Sequence, residues 1–428
     1  MPAYQNRRGR MAVQVCNAAG EPAACADVRY TLQNHEFLFG CGAFDALPAT
    51  DPGEPGTIDF YQSHIAPERA FYQDRVEKWL RVFNYGTLPF YWGGFEPQEG
   101  HPQTQSRMRA ARFLQARGVR VKGHPLCWHT VCADWLMQYD NRTILQKQLE
   151  RIQREVSDFR GVVDMWDVIN EVVIMPVYRS DNAVSRICRE LGRVELVKQV
   201  FAAAKQANPQ AVLLINDFNL SDKYRELIAA CLDAGVPISA IGLQTHQHQG
   251  YMGKARLQEI LERFSVFGLP LHFTENTLLS GHLMPGEIVD LNDYQVDSWP
   301  TTPEGEERQR REWREMYEIL FDHPLVQAVT GWDFADGAWL NAPSGLLRAD
   351  NTPKPSYWEL YRLIHEEWTS HGVLHTDENG IAVLEGFRGL YRLQLDRAQG
   401  QVTLAAQGPA APQRVCLCAA TPEGGQPQ

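Results

Sequence analysis

What the sequence lacks narrows it first. There is no long run of Lys and Arg, and the formal net charge is −11. Phosphate backbones are bound by clustered cations, so a nucleic-acid partner is not expected. The opening residues Met1-Pro2-Ala3-Tyr4-Gln5-Asn6-Arg7-Arg8 hold no apolar signal-peptide core. No stretch reaches membrane-spanning length, so no membrane role is expected. The nine cysteines are odd in number and scattered, which does not make a disulfide framework. Cys416-x-Cys418 lacks zinc-finger spacing and reads as part of a strand. These absences are the marks expected of a cytoplasmic protein.

What is present is ordinary globular composition, 44% hydrophobic and 22% charged, over 428 residues. That suffices for one large core and something smaller. The chain is organised around Trp166-Asp167-Val168-Ile169-Asn170-Glu171. With Val162-Val163-Asp164-Met165 before it, this is a short β-branched run that reads as a buried strand. A carboxylate at the C-terminal end of such a strand is where a parallel barrel keeps catalytic groups. Leu269-Pro270-Leu271-His272-Phe273-Thr274-Glu275 has the same form. Two strands that each deliver a glutamate to one rim suit glycosidic bond cleavage.

Residues 10–36 read as a hairpin, Met11–Val15 and Ala26–Leu32 around a Gly20-Glu21-Pro22 turn. An isolated hairpin is marginal, so a partner is required. Several strand-like runs in residues 368–420 supply one, and the two ends are expected to form one small β module. Met1–Arg8 and Thr421–Gln428 are expected to fray. Between them, residues 37–367 alternate apolar runs with amphipathic helices. The strands are expected at Phe37–Cys41, Arg81–Tyr85, Val119–Trp128, Val162–Asn170, Ala211–Asn219, Ile238–His246, Pro270–Glu275 and Leu325–Phe334. Helices are expected between them, from Pro67–Leu80 to Tyr357–Glu367. Eight such repeats over about 330 residues fit a (β/α)₈ TIM barrel in the α/β class. A doubly wound sheet is the runner-up, but Phe39-Gly40-Cys41-Gly42-Ala43-Phe44 matches its phosphate turn poorly. Long loops are expected after strand one, Asp45–Ile58, and after strand seven, Leu278–Pro303.

The predicted strand ends are rich in aromatic, amide and imidazole groups, the set that binds sugars. Gly123-His124…Trp128-His129, Trp166-Asp167…Asn170-Glu171, Asn216-Asp217-Phe218-Asn219, Gly242-Leu243-Gln244…His246, Thr274-Glu275, Trp332…Asp336…Trp339 and Lys354-Pro355 follow in that order. In this order they resemble the family-10 glycoside hydrolases, the endo-β-1,4-xylanase family, over roughly residues 30–367. The resemblance implies a retaining double displacement, with Glu171 as acid/base and Glu275 as nucleophile. It implies that His129 and Asn170 bind the sugar at the cleavage point, with Gln244 beside it. His246 would orient Glu275, and Trp332 and Trp339 would wall the subsite. Trp92, Trp128 and Asn219 are further candidate sugar contacts. An oligosaccharide or glycoside is the implied partner; neither cofactor nor metal is implied.

Three places depart from the family pattern. The family's Glu-Asn pair and Lys after strand two are absent from Thr87-Leu88-Pro89-Phe90-Tyr91-Trp92. Thr130 stands where Gln follows Trp-His, and Asn276-Thr277 where Leu-Asp follows the nucleophile. The last change removes a carboxylate that would help hold His246. Lost hydroxyl readers alter specificity strongly, so an altered non-reducing-side subsite is expected. Two other readings stay open: a carbohydrate-binding pseudoenzyme on the same barrel, and a metal-dependent hydrolase using His246-x-His248 on one strand face. His248 itself is expected in a supporting or rim position, and Asp336 either contacts the sugar or the acid/base or, the favoured reading, caps its loop.

Overall fold

The computed structural model describes residues 4–51, 68–406, 408–409 and 411–419. Residues 52–58 of the expected first long loop, Pro67 of the expected first helix, and the end segments 1–3 and 421–428 lie outside the described residues. The chain groups into two compact units. One takes the described residues up to Leu38, Phe321–Pro324 and those from Tyr361 onward; the other takes Phe39–Leu320 and Leu325–Leu360.

The chain opens with strands β1 (Arg8–Cys16) and β2 (Asp27–His35). It then lays down β3 (Leu38–Gly42), β4 (Tyr85–Pro89), β5 (Arg120–His124), β6 (Met165–Asn170), β7 (Val212–Asp217), β8 (Ala240–Gln247), β9 (Leu271–Leu278) and β10 (Val326–Gly331). Six strands close it: β11 (His371–His375), β12 (Ile381–Phe387), β13 (Gly389–Leu395), β14 (Ala398–Leu404), β15 (Gln413–Cys416) and β16 (Cys418–Ala419). Strands β3 to β10 form a closed parallel barrel in sequence order, so the open doubly wound sheet is ruled out.

Both faces of a barrel strand are covered, so polar as well as apolar residues of these strands are buried. All eight residues of β9 are buried. The helices Arg69–Leu80, Thr104–Gln115, Asn141–Asp158, Arg193–Ala207, Asp222–Asp233, Gly253–Ser265, Pro303–Asp322 and Pro355–Arg362 fall close to their expected spans. Three helices, Ala46–Thr50, Trp92–Phe95 and Ala183–Leu191, were not foreseen; the Asn182 side chain caps the last by accepting the Ser185 N–H at 2.8 Å. Two strands sit elsewhere than expected. The second is not Arg81–Tyr85 but starts at Tyr85, because Val82 and Phe83 close the preceding helix through N–H bonds to the Trp79 carbonyl. The third ends at His124, because Pro125 has no N–H to continue the ladder.

In the other unit the terminal strands form two sheets, β12-β1-β15 and β11-β2-β13-β14-β16. The expected hairpin of β1 with β2 does not form, since they lie in different sheets. Strand β1 pairs instead with β12 from Arg8↔Phe387 to Gln14↔Ile381, and β2 lies between β11 and β13. Nor do Tyr4–Arg8 fray: Gln5–Arg7 is a 3₁₀ turn, and buried Arg7 donates to the Phe321 and His323 carbonyls at 2.5 Å. All nine cysteines are free thiols. Among the described residues no helix is long and apolar enough to cross a membrane.

Candidate active site

The site begins with a fault in a strand. Gln244 pairs with Thr274 and His246 with Thr277, so two steps on β8 face three on β9. The other neighbour shows the same excess: Val329 pairs with Phe273 and Gly331 with Asn276. A β-bulge therefore lies at Glu275, and a bulge re-aims a side chain that strict alternation would point elsewhere. Glu275 has φ +58°, a left-handed conformation uncommon outside glycine. Glu171, the residue just past β6, has φ +55°. Backbone strain of this kind clusters at functional sites.

A row of amides joins the two carboxyl groups. Asn216, on β7, donates from Nδ2 to Glu275 Oε1 at 2.6 Å and to Asn170 Oδ1 at 2.8 Å. Asn170 Nδ2 donates to Glu171 Oε1 at 3.3 Å. Gln244 Nε2 donates to Asn170 Oδ1 at 2.9 Å and to Glu171 Oε1 at 3.4 Å. Asn216 is fixed from its other end, where its Oδ1 accepts the Thr274 hydroxyl at 2.7 Å. Gly242 makes room for it: a Cβ there would stand 2.3 Å from Asn216 Oδ1.

The two glutamates sit in opposite fields. Burial pushes the Glu171 carboxyl up to about 8, and the nearby Glu275 charge adds to this. The Trp128 indole N–H, 2.9 Å from Glu171 Oε2, pulls the other way. Glu275 is buried too, but His124, His246 and Lys122 outweigh burial and hold it below the usual carboxylate range. His246 Nε2 lies 3.2 Å from Glu275 Oε2, and His124 Nδ1 lies 3.9 Å from Oε1. Beneath them, buried Asp167 pairs with Lys122 at 2.6 Å and His124 at 2.7 Å. One acid kept protonated and one kept ionised is the division of labour an acid–nucleophile pair needs.

The other expected residues divide. His129 stands 4.0 Å from Glu171 Oε2, is buried, and has no hydrogen-bond partner at either ring nitrogen. Burial lowers it to about 4, so it is a neutral imidazole with both nitrogens available to a ligand. Trp332 packs against His124 at 5.3 Å and His246 at 5.9 Å, and Trp339 against His246 at 4.6 Å. Trp92 is not brought to the glutamates: its indole donates to Glu96 and its ring meets Trp135 edge-on and the Arg151 guanidinium. Asn219 is also turned away, with its Oδ1 capping Ser221. The amide of that segment that reaches the site is Asn216, three residues earlier.

Sequence reading also missed the placement of His124 and Tyr91. Tyr91 lies against His124 at 5.7 Å and Trp128 at 5.5 Å, so the altered segment Thr87–Trp92 still lends an aromatic ring. Its Leu88 and Phe90 are fully buried. Asn276 and Thr277 do not replace the missing carboxylate. Asn276 donates to the Phe273 and Thr330 carbonyls, and Thr277 accepts from Gln247 N–H and meets His248. His246 Nδ1 is thus buried without a hydrogen-bond partner. His248 is fully buried rather than at the rim. Asp336 plays the loop part, accepting from Gly345 N–H and from Lys354. Among the described residues no group of three or more His, Cys, Asp or Glu is placed to hold a metal ion.

Comparison with known proteins gives the family and the fold. Residues 90–363 match the model of glycosyl hydrolase family 10. The chain is 26% identical over 319 residues to endo-1,4-beta-xylanase B of Thermotoga neapolitana, spanning 70% of this chain and 85% of that protein. A solved family-10 structure from Paenibacillus barcinonensis superposes with TM-score 0.61 at 24% identity, over 77% of this chain and 95% of that one. Xylanase 10B from Thermotoga petrophila in complex with xylobiose superposes with TM-score 0.60 at 21% identity, over 78% and 95%. At these identities the structural likeness is one of fold.

Proposed function

The chain belongs to glycosyl hydrolase family 10, and on that premise we propose that it is a retaining β-glycosidase using Glu171 and Glu275. The observation that carries this reading is the opposite displacement of the two acids across one row of amides. Glu171 carries its proton to the glycosidic oxygen. The Glu275 carboxylate attacks the anomeric carbon and forms a glycosyl ester as the leaving group departs. Glu171, now ionised, takes a proton from water, which attacks the same carbon and frees Glu275. Such a double displacement needs the carboxyl groups about 5–5.5 Å apart.

Around the reacting carbon, the His129 ring and the Asn170 amide read hydroxyls of the bound sugar. Gln244 lies beside them, Trp128 holds Glu171, and Trp332 and Trp339 form an aromatic wall. The substrates are β-1,4-xylo-oligosaccharides or related β-glycosides. The names of the relatives support this, as does the xylobiose bound to a protein of the same fold. The non-reducing-side subsite is altered, because the segment Thr87–Trp92 offers buried Leu88 and Phe90 and no carboxylate, amide or amine. The test is the anomer first released from an aryl β-glycoside, followed by proton NMR. Initial β product is expected; initial α product would rule out the double displacement.

A further inference from the structure

Glu171 stands just past β6 and Glu275 on β9, and the loops that follow those strands meet. Arg179, after β6, forks onto Asp293, after β9: Nη1 reaches Oδ2 at 3.2 Å and Nη2 reaches Oδ1 at 2.9 Å. Asp290, on the same loop as Asp293, lies 3.2 Å from Nη2. Planar bidentate pairing fixes direction as well as contact.

Each end of this bridge is anchored toward a glutamate. Tyr178, next to Arg179, packs on His129 at 4.3 Å, and His129 faces Glu171 at 4.0 Å. Tyr294, next to Asp293, packs on Trp299 at 4.9 Å. Trp299 meets His248, which meets Trp339, which lies on His246, the partner of Glu275. Gln249 steadies the same loop by donating to the Pro285 and Ile288 carbonyls at 2.9 and 2.7 Å.

Barrel order puts β7 and β8 between β6 and β9 on the shorter arc. A polymer bound with one unit between the glutamates must extend to both sides of the line that joins them. One arm has to leave across the β7–β8 sector, where the bridge ties the flanking loops together. We propose that Arg179, Asp290 and Asp293 form a strap that closes this exit, so that the protein accepts short β-glycosides and chain ends but not internal segments of a polysaccharide. The proposal rests on the glycosidase reading above and sets its substrate length.

The test measures kcat/KM on soluble xylan and on 4-nitrophenyl β-xylobioside for the full chain, Arg179→Ala and the double variant Asp290→Asn/Asp293→Asn. The wild type should turn over the small glycoside and release few new reducing ends from xylan. Each variant should keep the small-glycoside value within about twofold, as surface changes do. Each should raise the xylan-to-glycoside ratio by about fivefold, the effect an exposed ion pair can carry. Added salt should raise the wild-type ratio and leave both variants flat, because exposed pairs are screened. A wild type that cuts xylan internally as well as it cuts the small glycoside, or variants with an unchanged ratio, overturns the strap while the glycosidase reading stands. A wild type that turns over no small glycoside overturns the glycosidase reading, and the strap with it.

Discussion

Glu171→Gln should make the fold less sensitive to alkali. In the folded chain, burial and then the Glu275 charge raise the Glu171 carboxyl to about 8 from an unperturbed 4.5. A carboxyl whose folded pKa lies above its unfolded value costs nothing well below the unfolded value. It costs progressively more as pH rises, and the full amount above the folded value. Worked through for these two values, the cost is about 1 kcal/mol at pH 5 and about 4 kcal/mol at pH 8. Glutamine has no proton to lose, so this rise of about 3.5 kcal/mol vanishes in the variant. The amide changes hydrogen bonding to Trp128, Asn170 and Gln244, but that difference does not vary with pH. For 428 residues, an unfolding entropy near 2.1 cal/mol/K per residue turns the rise into about 4 °C. Thermal unfolding of both proteins at pH 5 and pH 8 is the assay. The variant should gain about 4 °C on the wild type between the two pH values. Melting temperatures that fall in parallel would mean that Glu171 ionises as an ordinary carboxylate.

Two further outcomes follow from the same site. Trp128→Phe removes a donor that favours the Glu171 anion, so the proton is held more tightly. The alkaline limb of kcat/KM should move up by about one pH unit, and a fixed or lowered limb would count against Glu171 as the group titrating there. Gly242→Ala places a methyl against Asn216 Oδ1 and displaces the amide that holds Glu275. A lost charge-assisted hydrogen bond of about 1.5–3 kcal/mol predicts a kcat loss of roughly 10–100-fold, with KM little changed. Unaltered kcat would show that Asn216 does not position the nucleophile.

The barrel, and the strand ends that carry Glu171 and Glu275, were legible in the sequence because each strand–helix repeat leaves a pattern and each strand end leaves a polar residue. What could not be read there was the direction of side chains. Strand β7 is buried on both faces, so its apolar run shows no alternation to tell Asn216 from Asn219. The bulge at Glu275 depends on register with β8 and β10, which no single strand contains. Trp92 carries the same letter whether it faces a sugar or Glu96, and only the Arg151–Trp92–Glu96 packing decides. The misread hairpin failed because the partners of β1 and β2 lie more than 300 residues away, beyond any local turn signal.

In the proposed double displacement Glu275 becomes bonded to the sugar while Glu171 manages the proton. It is tested most directly with an activated 2-deoxy-2-fluoro β-xylobioside, which slows release of the intermediate, followed by mass spectrometry of the digested protein. A fluoroxylobiosyl adduct on the peptide containing Glu275, absent in Glu275→Gln, is the predicted result. Label on Glu171 or another residue, or turnover of the reagent with no adduct and inverted product, would contradict it.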